Sequence, residues 1–134
     1  MLLLDTCALI WVAQGSSISQ AARTAIGKAL RESKLYLSPI SAWEIGILVR
    51  RGKLTLDMPV EVFVNEFFSR PGISIAALTP EIAVRSSFLP DGLPNDPADR
   101  ILAATAATIG ARLVTRDQRL LEYGAKGFVP VMAC

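Results

Sequence analysis

The chain has 134 residues, a formal net charge of +2, no histidine, and 51% hydrophobic against 19% charged residues. That balance, with a mean hydropathy of +0.41, excludes an intrinsically disordered chain and predicts some apolar surface for a partner or a second copy. The missing histidine excludes imidazole metal sites and histidine-based acid–base chemistry, while +2 is too small a charge to mark a nucleic-acid binder by itself.

In chain order, Leu2–Asp5 reads as a strand ending in an acid, and Asp5 can also cap a helical segment starting at Ala8. Ser19 is a cap for a helix from Gln20 to about Glu32, followed by a strand at Leu35–Leu37. Ser38-Pro39 places a cap and an N1 proline before a helix reaching Arg51. Within that helix Glu44 shares a face with Ile40, Ile47 and Leu48. An unpaired buried carboxylate costs several kcal/mol, so Glu44 implies either a salt bridge to Arg50 or Arg51 or a functional role.

A helix follows from about Val60 to Ser69, then a strand at Ile73–Ala76 and a shorter helix from Glu81 to Phe88. Asp96-Pro97 repeats the cap-then-proline signature before a helix ending near Gly110. Asp96 is explained by capping, whereas Asp99 faces Leu102, Ala103 and Ala106 and suits capping and function equally. Leu113–Thr115 reads as a strand, Asp117 as a cap for a helix over Arg119–Tyr123 or as a site acid, and Val129–Met132 as a last strand.

Strands alternating with helices predict an α/β fold, an α/β/α sandwich with a mostly parallel central sheet, formed by one domain over residues 1–134. In such sheets function gathers at the carboxyl ends of the strands. Asp5, Glu44, Asp99 and Asp117 are the acids such a sheet would bring to one rim, where like charges repel unless a cation compensates them. Oxygen donors without imidazole suit Mg²⁺ or Mn²⁺. The remaining surface would then be distinctly basic, and the residues by themselves point to a metal-dependent phosphodiesterase.

Cys7 and Cys134 are expected to be reduced. The start, Met1 to Asp5, lacks the basic region of a signal peptide, and no apolar run approaches the ~20 residues of a membrane span. A soluble cytoplasmic protein is expected.

Four segments in order carry a resemblance: Leu-Leu-Leu-Asp-Thr at 2–6, Ser-Ala-Trp-Glu-Ile at 41–45 with Arg-Gly-Lys-Leu at 51–54, Asp-Pro-Ala-Asp-Arg-Ile-Leu-Ala-Ala at 96–104, and Leu-Val-Thr-Arg-Asp at 113–117. Together they resemble PIN-domain ribonucleases, specifically VapC-type toxins of bacterial type II toxin–antitoxin pairs. The resemblance implies a PIN-like sandwich and an acidic catalytic site in which Asp5, Glu44, Asp99 and Asp117 hold one or two Mg²⁺ or Mn²⁺ ions, supported by Thr6 and Thr115. It also implies a homodimer and a cognate antitoxin that blocks the site and carries the complex to operator DNA. Cys7 stands where relatives often have histidine, and Ala98 where they often have phenylalanine.

In the expected mechanism Asp5 and Asp99 bind the principal ion directly, and Glu44 and Asp117 bind through water or hold a second ion. A water activated there attacks an RNA phosphodiester in line, leaving a 5′-phosphate and a 3′-hydroxyl. Arg50, Arg51, Lys53, Arg100, Arg112 and Arg116 are candidate RNA-backbone contacts. The alternatives are a structure-specific DNA nuclease of the same fold and a non-enzymatic peptide-binding relative. A phosphatase or receiver domain is disfavoured, because Cys7 occupies the place of the second phosphatase aspartate and the receiver's paired acids are missing.

Overall fold

The computed structural model describes residues 1–134 except Asp91 and Pro94. The elements are β1 (Leu2–Leu4), α1 (Thr6–Gln14), α2 (Gln20–Arg31), β2 (Leu35–Leu37), α3 (Pro39–Arg50) and α4 (Val60–Phe68), then β3 (Ile73–Ile75), α5 (Pro80–Ser87), α6 (Pro97–Ile109), β4 (Arg112–Thr115), α7 (Gln118–Ala125) and β5 (Val131–Ala133). The strands form one sheet in the order β3-β2-β1-β4-β5, and every pairing is parallel. The α/β reading therefore holds, with a fully parallel sheet.

Successive side chains of a strand face opposite ways, and both faces of this sheet are covered. Leu2, Leu4, Leu35, Leu37 and Val114 pack with Ala8, Leu9, Ile26 and Ile45 from α1–α3 and with Phe67 and Phe68 from α4. Leu3 and Leu113 pack on the other side with Leu102, Ala103 and Ala106 of α6 and Leu120 and Tyr123 of α7. The small residues of α6 let it lie close to the sheet.

Side-chain caps set most helix starts: Asp5, Ser19, Ser38, Thr79, Asp96 and Asp117 each accept a backbone N–H of the first turn. Thr79-Pro80 is a third cap-then-proline pair, and it moves the start of α5 one residue ahead of the expected Glu81. Gly110 ends α6 at φ 70°, a left-handed geometry that a side chain disfavours. The last strand begins two residues later than expected. Pro130 has no N–H for the ladder, although its carbonyl still accepts from Leu113 N at 2.9 Å.

The chain runs from β1 outward to β2 and β3, then returns to the other side of β1 as β4 and β5. That reversal falls between β1 and β4, and in open parallel sheets ligands enter at the carboxyl ends of the strands at such a point. Asp5 follows β1 and Asp117 follows β4.

Candidate active site

Asp5 is 5% exposed. Its backbone N–H continues the sheet ladder to Val114 O (3.0 Å). One carboxylate oxygen caps α1 by accepting from Ala8 N at 2.7 Å, and the other accepts from the Thr115 hydroxyl. Thr115 Oγ1 in turn accepts from Asp117 N at 3.0 Å, so one buried hydroxyl fixes both rim acids. Glu44 enters from α3, half-buried, and its Oε1 accepts from the Thr6 hydroxyl, which also bonds the buried Ser41 hydroxyl at 3.0 Å. Neither Arg50 nor Arg51 pairs with Glu44 among the described residues.

Asp99 sits in the first turn of α6, its side chain 18% exposed. Its backbone N–H is capped by Asp96 Oδ1 at 3.0 Å, which leaves the Asp99 carboxylate free of capping. Asp117 caps α7 through Arg119 N and Leu120 N (2.8 and 3.2 Å). Arg119 then folds back over the rim, with Nη2 at 3.0 Å from Asp117 Oδ2 and 3.5 Å from Asp99 Oδ2.

The four acids share one electrostatic field. Burial raises the Asp5 carboxyl above its ordinary value, and Asp117 adds to the rise against the bonds from Thr115 and Ala8. Glu44 is raised by burial and then by Asp96 and Asp5. Asp99 is pushed up to about 7, first by burial and then by Asp96, Asp117 and Glu44. Asp117 is lowered, because Arg119 bonds its charged form. The Cys7 thiol reports the convergence: burial and then Asp5, Glu44, Asp99 and Asp117 together lift it to about 11. That shift favours the protonated thiol over the thiolate.

All-oxygen donors whose charges raise one another fit a hard divalent cation, which would relieve the repulsion. A closed cage is not preformed, however. Among the described residues no three acids or thiols are grouped tightly enough to hold an ion as they stand. The reason is visible in their partners: Asp99 and Asp117 are turned to Arg119, and Glu44 to Thr6. The expectation of four carboxylates already meeting around an ion is corrected: Asp5 and Asp117 are tied through Thr115, Asp99 and Asp117 through Arg119, and Glu44 is held by Thr6.

Two residues beside the acids, Ser41 and Arg119, carry no site signal of their own in the sequence. Ser41 precedes Glu44 by one helical turn, a spacing that could have flagged it. Arg119 lay among unremarkable charges. Conversely, two of the expected RNA contacts have structural partners. Arg100 bonds the carbonyls of Ser86 (2.9 Å) and Leu93 (3.2 Å). Arg116 bonds Ser17 O and Cys134 O, both at 3.0 Å, and stacks on Trp11. Arg112 opens β4 at the amino end of the sheet, opposite the acids. Cys7 and Cys134 are free thiols.

Residues 2–126 match the PIN domain family. The chain belongs to that family. The match runs from β1 through α7, so all four acids fall inside the PIN domain. Over 113 residues the chain is 35% identical to Ribonuclease VapC22 of Mycobacterium tuberculosis, covering 84% of this chain and 83% of that protein. Its fold is similar to a chain of VapBC2 from Rickettsia felis, a complex solved bound to a DNA fragment from its promoter (TM-score 0.73, 16% identity, 99% of this chain and 98% of that one). It is also similar to FitAcB from Neisseria gonorrhoeae (TM-score 0.64, 23% identity, 98% and 96% covered).

Proposed function

We propose that this PIN protein is an endoribonuclease of the VapC type, the toxin of a type II toxin–antitoxin pair, working as one domain over residues 1–134 with Mg²⁺ or Mn²⁺. The observation that carries this reading is a set of shared partners at the carboxyl edge of the sheet: Thr115 bonds both the Asp5 carboxylate and the Asp117 backbone, Arg119 pairs with both Asp99 and Asp117, and Glu44 bonds Thr6, the residue after Asp5. The 35% identity to a protein named as a ribonuclease supports the choice of substrate.

When bound, the cation supplies Lewis-acid activation of a water and neutralises charge developing on the phosphate. The chain's own residues prepare for this. Thr115 holds Asp5 and the turn into α7 in fixed relation, so the acids after β1 and β4 are preorganised. Thr6 and Ser41 orient Glu44 toward the same rim. Asp99, whose carboxyl is pushed up to about 7, is the acid whose ionised form gains most from a divalent charge nearby. Asp5 and Asp99 are assigned as direct ligands, and Glu44 and Asp117 as ligands through water or to a second ion.

The assignment carries partners with it: a cognate antitoxin, an RNA substrate, operator DNA reached only through the antitoxin, and a homodimer in the cytoplasm. The likeness in fold to a chain of VapBC2, a complex solved bound to a fragment of its promoter, supports the first and third. Val84 on α5 and Phe88 just after its end, both exposed, supply apolar surface for the dimer. Among the described residues no helix is long and apolar enough to cross a membrane.

Purified protein, freed of antitoxin, should be incubated with RNA and with DNA in Mg²⁺, in Mn²⁺ and in chelator. The reading requires RNA cleavage in a divalent cation, ends bearing 5′-phosphate, and no cleavage by Asp5→Asn or Asp99→Asn. Cleavage in chelator, or by both variants, would overturn it. Cutting of DNA alone would favour the DNA-nuclease reading, and inactivity on every nucleic acid would favour a binding role.

A further inference from the structure

Arg119 holds an unusual position. Its guanidinium is the cation that pairs with the acidic rim among the described residues, since the other ion pairs involve Glu32. It contacts two acids from different elements: Asp117 through Nε at 3.3 Å and Nη2 at 3.0 Å, and Asp99 of α6 through the same Nη2 at 3.5 Å. The Arg119 side chain is 54% exposed, while the carboxylates it covers are 18% and 31% exposed. An exposed cation thus closes over less exposed acids.

An ordinary surface ion pair would lead to nothing further. Here the guanidinium engages Oδ2 of Asp99 and Oδ2 of Asp117, and these are two of the four acids assigned above to the divalent ion. A divalent ion held by those carboxylates would compete for them with the Nη2 charge, so the two cations would oppose each other. A guanidinium cannot discharge by losing a proton, but its stem is flexible and its planar fork fits phosphate as well as carboxylate. Leaving the acids therefore does not leave it without a partner once RNA is present.

We propose that Arg119 is a tethered counter-ion that exchanges partners: it occupies Asp99 and Asp117 in the cation-free protein, yields them to the divalent ion, and then pairs with a backbone phosphate of the substrate. In this role it is a substrate-binding residue that also sets how tightly the ion is held. The inference rests on the cation-dependent reading of the site, and it makes the ion and the RNA cooperative through one side chain.

The test uses the full chain and its Arg119→Gln and Arg119→Lys variants, with folding checked by circular dichroism. Mn²⁺ binding without RNA is followed by the loss of the free-ion paramagnetic resonance signal. Arg119→Gln should bind Mn²⁺ roughly 1.5- to fivefold more tightly than the parent, the range set by removing one partly screened charge, and Arg119→Lys should stay near the parent. Binding of a fluorescent RNA oligonucleotide is then measured in Ca²⁺ and in chelator, with its integrity checked on a gel. Arg119→Gln should lose RNA affinity in Ca²⁺ and match the parent in chelator. Unchanged Mn²⁺ affinity in Arg119→Gln, or an equal RNA defect in both conditions, overturns the exchange while leaving the cation-dependent reading in place. A parent that binds no Mn²⁺ overturns both.

Discussion

Replacing Asp99 with asparagine keeps the side chain's shape and removes its charge, so in chelator at pH 8 the variant should be more stable than the parent. The parent's carboxyl rises from 3.8 to about 7 in the folded protein. Each unit corresponds to ~1.4 kcal/mol of preference for the neutral form, which sets a ceiling of about 4 kcal/mol on what ionising Asp99 removes from stability. Residual solvent contact and the 3.5 Å pair with Arg119 screen part of this, leaving an expected gain of about 2 kcal/mol. Since the folded value lies above the unfolded one, the parent loses stability as pH rises from about 4 to about 7. The variant's advantage is complete above that window and fades toward its lower end. Urea denaturation in chelator near pH 8 and near pH 4.5 reads this directly, provided the slopes agree. Saturating Mn²⁺ should reverse the order, because only the parent then keeps the full ligand set. A variant no more stable than the parent at pH 8, or one with the same advantage at both pH values, would refute the electrostatic reasoning.

Thr115→Val deletes a fully buried hydroxyl that donates to Asp5 and accepts from Asp117 N; urea midpoints should show a loss of about 2 kcal/mol, and cleavage should fall with it. Asp5→Asn and Asp5→Ala should both abolish cleavage, but only the alanine variant loses the α1 cap and about 1 kcal/mol of stability, a difference thermal melts would resolve. Gly124→Ala would place a Cβ 2.3 Å from a Val131 methyl, destabilising by about 1–3 kcal/mol; adding Val131→Ala should recover most of it, and failure to recover would mean that β5 does not press on α7 as described.

The element pattern was readable along the chain because its determinants are local. Serine, threonine or aspartate followed by proline or an apolar run fixes a helix start within one turn, and Leu-Leu-Leu or Leu-Val-Thr marks a buried parallel strand. The boundaries that moved did so for equally local reasons, at Thr79-Pro80 and at Pro130. The four acids could be picked out because each interrupts a stretch that should be buried. Their partners could not: Thr115 and Asp5 are 110 residues apart, Thr6 and Glu44 are 38 apart, and Asp99 meets Arg119 across two helix starts.

The sequence by itself therefore determined the alternation of strands and helices and the covered sheet, since hydrophobic period and capping act within a few residues, and it singled out four carboxylates as candidates. Only the tertiary structure decided how those carboxylates are held. The topology reverses between β1 and β4, bringing Thr115 onto Asp5 and Arg119 onto two acids at once, and such pairings depend on distances that no local pattern encodes.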